Sequence, residues 1–215
     1  MKYLYRIVDA LLAAAVFTNL LFTDLIFFQA STTLFDAGLE ESINLKKIID
    51  ILSGNDSLSG LLPEAGSFKW PAAFSPINGR LIACGVAIAF ALIAALFIIV
   101  WSICSNRRIP VVAAGGCGIV ATIVMICCFN SAAFEITSGN INIIKAFSDG
   151  LIATLAGGIV NIDTLTLGGF QNGMLILFGA IIVWNLCFFV VEIGDEDAKK
   201  EREARKAKKA KKAKK

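Results

Sequence analysis

Histidine is missing from all 215 residues. Its absence excludes haem and zinc sites held by imidazole, and every triad or acid–base scheme built on that group. Charge is scarce as well: Asp, Glu, Lys and Arg make up 17% of the chain and apolar residues 57%. A soluble domain carries about a quarter charged residues, so this balance points to a membrane. Cysteine is absent from the interiors of both long segments that separate the apolar blocks. Cys84, Cys104, Cys117, Cys127, Cys128 and Cys187 all fall in those blocks or at their edges. A disulfide-stapled external domain is therefore excluded. No Cys-x-x-Cys pair is present to support thiol–disulfide exchange. The thiols read as small apolar packing groups. The alternatives are a bridge between Cys84 and the Cys127-Cys128 pair, and acylation of Cys104 at the membrane edge.

The chain does hold four apolar blocks, at 4–30, 79–103, 109–129 and 174–193. About 20 apolar residues suffice for a helix to cross a hydrocarbon core. The blocks are continuous rather than alternating, which favours helices over a membrane barrel. The first block is too long for a signal peptide and reads as a retained span. Lys2 and Arg6 precede span 1, Arg107 and Arg108 lie in the 104–108 link, and the tail at 195–215 carries eleven Lys and Arg. The positive-inside rule makes all three cytoplasmic. Both termini are then cytoplasmic, the segments 31–78 and 130–172 external, and the plasma membrane the expected location.

An internal echo divides the chain into 1–103 and 109–194. Asn78-Gly79-Arg80-Leu81-Ile82 opens span 2 as Asn172-Gly173-Met174-Leu175-Ile176 opens span 4, with Gly85 and Gly179 in register. Ile43-Asn44 is matched by Ile141-Asn142, and Phe28-Gln29 by Phe129-Asn130. The expected fold is an all-α integral membrane protein: four transmembrane helices in two parallel helix–external segment–helix repeats. The Asn residues are expected N-caps. Each external segment carries a helical stripe, Leu45, Ile48, Ile49, Leu52 and Ile144, Phe147, Leu151, Leu155, which predicts amphipathic external helices. The stretch 53–76, rich in Gly, Ser, Asn and Pro, is loop chemistry. The plan resembles that of claudin-like and tetraspanin-like proteins in topology alone; the external cysteine motifs of both are absent.

Few residues are candidates for chemistry. Asp9 and Asp24 lie in span 1, where a carboxylate is costly. Asp9 has Arg6 three residues before it and the headgroups within reach. Asp24 stands level with Arg80 of the antiparallel span 2, so the expected intramembrane polar pair is Asp24–Arg80. An ion site of Asp24, Asn19 and Thr23 is the alternative. Small residues mark the helix-packing candidates: Gly79, Gly85, Ala87, Ala91, Gly115, Gly116, Gly173 and Gly179. In the tail, Lys208, Lys209, Lys211 and Lys212 are candidate contacts to anionic lipid headgroups. Nothing interleaves aromatics with these lysines, so nucleic acid is not a favoured partner. No metal or cofactor is expected. The leading functional expectation is a non-enzymatic scaffold, accessory subunit or self-assembling unit, whose partners are the bilayer and other membrane proteins or its own copies. A channel or small-solute transporter formed as an oligomer, lined by Asp24, Asn19 and Arg80, is the alternative. A lipid-modifying enzyme ranks third, since no paired acid–base set is present.

Overall fold

The computed structural model describes residues 4–32, 38–46, 74–105, 108–141 and 160–189. The protein is mostly helical. Among the described residues four helices carry it: α1 (Leu4–Phe22), α2 (Ser75–Cys104), α3 (Ile109–Thr137) and α4 (Phe170–Phe189). All four are long and apolar enough to cross a membrane. Three strands join them: β1 (Asp24–Thr32), β2 (Gly38–Asn44) and β3 (Val160–Leu167). They form one antiparallel sheet in the order β2-β1-β3.

The sheet corrects the all-α expectation and the span at 4–30. Helix α1 stops at Phe22, and Asp24 already belongs to β1. The apolar text runs on across the break because strand and helix both bury it here. Residues paired directly across the sheet share a face. Ile26 pairs with Ile43 on one side and Leu167 on the other, and Phe28 with Leu165. That face turns to the helices, where Ile26, Leu165 and Leu167 pack against the core. On the opposite face Gln29 donates to Glu40, and Thr166 is exposed. At Ile26, Phe28, Ile43, Leu165 and Leu167 the side toward the helices is apolar, and the other side carries polar groups beside Phe27, as suits an antiparallel sheet resting on a core.

The helices alternate in direction. Helix α1 runs toward the sheet, α2 away from it, α3 toward it and α4 away. The α2–α3 link is short: Ser105 closes α2 through its N–H to the Trp101 carbonyl, and the Arg108 carbonyl receives the first amides of α3. Pro110 sits in the first turn of α3, where its missing N–H costs nothing. At the other end Gly139 takes a φ of 78° and donates to the Ile136 carbonyl, the left-handed turn that ends a helix. With 30 and 29 residues, α2 and α3 are about ten longer than α1 and α4. Their extra turns stand beside the sheet. On α1 and α4 the corresponding chain has become β1 and β3.

Small side chains let the four helices close on each other. Ala13, Val16, Ala91, Ala95, Met125 and Phe178 fill the middle of the bundle, each at most 1% exposed. A second cluster under the sheet end joins Phe74, Ile77, Ala132, Ile136 and Ile141.

Two sequence expectations change in detail. Asn78 and Asn172 lie inside the first turns of α2 and α4 and cap neither helix; Phe74 occupies the cap position of α2. The Phe28-Gln29 echo pairs a strand with Phe129-Asn130 of a helix. The striped segments are helical at Leu45 and Lys46. The rest of the first stripe, all of the second, and the loop at 53–73 lie outside the described residues.

Candidate functional site

Polar chemistry gathers at both ends of the bundle. At the end away from the sheet, Asp9 of α1 and Asn185 of α4 are each 1% exposed. The Asn185 Nδ2 donates to Asp9 Oδ1 at 2.7 Å and to the Ile181 carbonyl at 2.9 Å. Arg108, from the α2–α3 link, is close enough to act electrostatically on Asp9. Its guanidinium lies 4.2 Å from the centre of the Tyr5 ring and 5.4 Å from that of Phe188, a cation–π arrangement. The rings themselves are packed together, Tyr5 on Phe188 and Phe188 on Trp184. Arg6 donates to the carbonyls of Ser102 and Ile103. Those carbonyls belong to the last turn of α2, where no helical amide remains to meet them and the helix dipole is negative. Each of the four described helices is thereby tied at this end. Arg6 does not turn back on Asp9, as the sequence spacing allowed.

At the sheet end the expected Asp24–Arg80 pair is not formed. Arg80 pairs with Glu135 of α3 at 3.3 Å and donates to the Ser131 carbonyl at 3.1 Å. Asn140 adds a second donor to Glu135 at 2.9 Å. Asp24 instead opens β1, across from Asn44. The reason is the early end of α1, which carries Asp24 off the helix axis and into the sheet. Asn19 and Thr23 do meet, but in structural roles. The Thr23 hydroxyl donates to Asn19 Oδ1 at 3.0 Å, and Asn19 Nδ2 donates to the Phe170 carbonyl in the first turn of α4 at 2.7 Å.

The Arg80–Glu135 pair is partly exposed, with 39% and 29% of the side chains accessible. An exposed pair contributes at most about 1 kcal/mol. Arg80→Glu alone is therefore expected to lower the melting temperature by a few degrees, and adding Glu135→Arg to restore it. Asp24→Lys in the Arg80→Glu background is expected to restore nothing. Thermal unfolding of the four proteins distinguishes the two pairings.

The small residues divide into two sets. A side chain on Gly115 would press on Ile182 at 3.0 Å, and one on Gly173 would collide with the Asn19 amide. Gly118, a further small residue of the third span, is closed by the Phe178 ring at 2.5 Å. Ala87 and Ala91 are buried. Gly79, Gly85, Gly116 and Gly179 have open space where a side chain would stand. Gly116 belongs to an apolar groove of about 610 Å³ between α2 and α3, where Ala83, Phe90, Ala113 and Val120 also lie. All six cysteines are free, and Cys84 points its thiol at the Met125 carbonyl at 3.6 Å. Lys208, Lys209, Lys211 and Lys212 lie outside the described residues.

Asn185 is the residue that sequence reasoning missed. Its signal was available: a buried amide inside an apolar block has the same claim to notice as the acids of span 1.

The chain matches no known protein family and no curated protein. Its four long apolar helices fit a multi-pass membrane protein.

Proposed function

We propose that the chain is a non-enzymatic multi-pass membrane protein that acts by lateral packing, as a scaffold, an accessory subunit or a self-assembling unit. Both termini lie in the cytoplasm, the sheet lies outside, and the plasma membrane is the compartment. The observation that carries this reading is the surface of the helices. Large apolar side chains stand exposed along all four described helices, among them Leu11, Phe90, Val120 and Ile176. Such a belt is tolerated only against hydrocarbon or another apolar surface. Within it, the groove at Gly116 and the open glycines are small-residue positions that the chain does not use internally. Small residues admit the close backbone approach by which helices associate in lipid.

Orientation draws support from Arg6 and Arg108, which stand at the same end as the two terminal helix ends, opposite the sheet. The basic tail follows from that end and would rest on anionic headgroups. Duplication of an ancestral helix–external segment–helix unit is supported by the Asn-Gly text in the first turns of α2 and α4. The counterpart of β3 in the first half falls at 66–73, outside the described residues. Against a solute path through one bundle stands the apolar middle layer of Ala13, Val16, Ala91, Ala95 and Phe178.

Native mass spectrometry from mild detergent tests the reading. The expected result is an oligomer or a co-purifying membrane protein, weakened when Gly116→Leu fills the groove. A lone monomer at all concentrations overturns it.

A further inference from the structure

The sheet does not lie flush on the bundle. Between its apolar face and the outer turns of α3 is a half-enclosed cavity of about 480 Å³. Ile26, Phe28 and Leu165 stand on the sheet side, and Leu81, Phe129 and Ala133 on the helix side. Its exposed lining is entirely apolar. Protein interiors keep few voids larger than a water molecule. Water itself needs two to four polar partners to stay in a cavity, and none is offered here. The volume falls within the range of about 300–1,000 Å³ typical of small-molecule sites. The chemistry that fits is hydrocarbon.

The surroundings narrow the source. Ile82 and Phe134, one residue beyond Leu81 and Ala133, are 59% and 68% exposed and belong to the apolar belt. The cavity walls therefore continue a surface that meets the bilayer. Arg80 and Glu135 each stand one residue before a wall residue, Leu81 and Ile136, and keep part of their charge accessible. A group with a phosphate and an ammonium complements both signs. We propose that this cavity holds one acyl chain of a zwitterionic phospholipid from the leaflet nearer the sheet. The proposal rests on the membrane reading above and is independent of lateral assembly.

The test uses the full chain in phosphatidylglycerol vesicles doped with a phosphatidylcholine that carries a diazirine on its acyl chain. After irradiation the labelled positions are mapped by peptide mass spectrometry. Label is expected on 24–32 and 129–136, saturating at one lipid per chain and competed by unlabelled phosphatidylcholine. Label on the exposed belt at Phe90 and Val120 rises in proportion to the probe and does not saturate. Ala133→Phe and, separately, Leu165→Trp fill the cavity from opposite walls. Each is expected to cut the cavity label roughly tenfold and to leave the belt label unchanged. Unsaturable label at the cavity in the wild-type chain, or cavity label that survives both variants, overturns the proposal. Label on the belt alone does the same, and the membrane reading then stands. No label at either place overturns both.

Discussion

Asn185→Leu is expected to destabilise the protein markedly. The amide is buried and bridges two helices, donating to Asp9 at 2.7 Å while it also holds the Ile181 carbonyl. A hydrogen bond to a charged group contributes about 1.5–3 kcal/mol. Its removal leaves the Asp9 carboxylate in a site that is 1% exposed. That loss is a sizeable part of the roughly 5–15 kcal/mol that holds a domain folded. For a chain of this size about 1 kcal/mol moves the melting temperature by about 2–4 °C. Asn185→Leu should therefore lower it in detergent by about 3–12 °C.

The double variant separates the pair from its parts. With Asp9→Leu added, no carboxylate remains to be satisfied, so the loss should be smaller than the sum of the two single losses. It should not vanish, because Arg108 lies within the field of Asp9 and would lose its counter-charge. Arg108 keeps the Tyr5 and Phe188 rings. A double variant that loses the full sum, read by thermal unfolding, would show that Asp9 and Asn185 act separately.

That pair lies 176 positions apart in the chain, which is why local text could not reveal it. The helices were another matter. Continuous apolar blocks of about 20 residues specify spans without any partner, and α2, α3 and α4 overlap the blocks at 79–103, 109–129 and 174–193. Strand β1 was hidden for the opposite reason. Residues 24–30 continue the apolar run of α1, and a short apolar run does not tell helix from strand. What decides it is β3, whose partners Thr164 and Leu165 sit far downstream. A cue was present there, since Thr164-Leu165-Thr166-Leu167 alternates polar and apolar with the period of a strand. The same joint decides the site: Asp24 stands level with Arg80 only if α1 continues past Phe22, and it does not. Once the helix ends, Arg80 finds Glu135 on the helix already beside it.

Gly168→Ala is the glycine change expected to do most harm. Gly168 links β3 to α4, and its N–H donates to the Leu25 carbonyl at 2.8 Å. A side chain there would collide with the Asp24 carbonyl group and come within 2.9 Å of Asp24 Cβ. The obstacle is mainly backbone, so no rotamer change relieves it. Strands β1 and β3 must move apart at the point where Ile26 faces Leu167. Overpacking of this kind costs about 1–3 kcal/mol, and the lost hydrogen bond about 0.5–1.5 kcal/mol more. Gly118→Ala meets only the Phe178 ring, a side chain able to shift, and should cost less. Gly79→Ala, Gly85→Ala and Gly179→Ala enter open space and should gain a few tenths to about 1 kcal/mol from better helix propensity. The order Gly168 worst, Gly118 next and the three open glycines neutral or better is read by thermal unfolding. Hydrogen exchange locates the damage: amides of β1 and β3 should lose protection in Gly168→Ala while those around Asp9 and Asn185 keep it. An unchanged melting temperature for Gly168→Ala would show that β1 does not approach the β3–α4 link as closely as the 2.8 Å hydrogen bond at Gly168 requires.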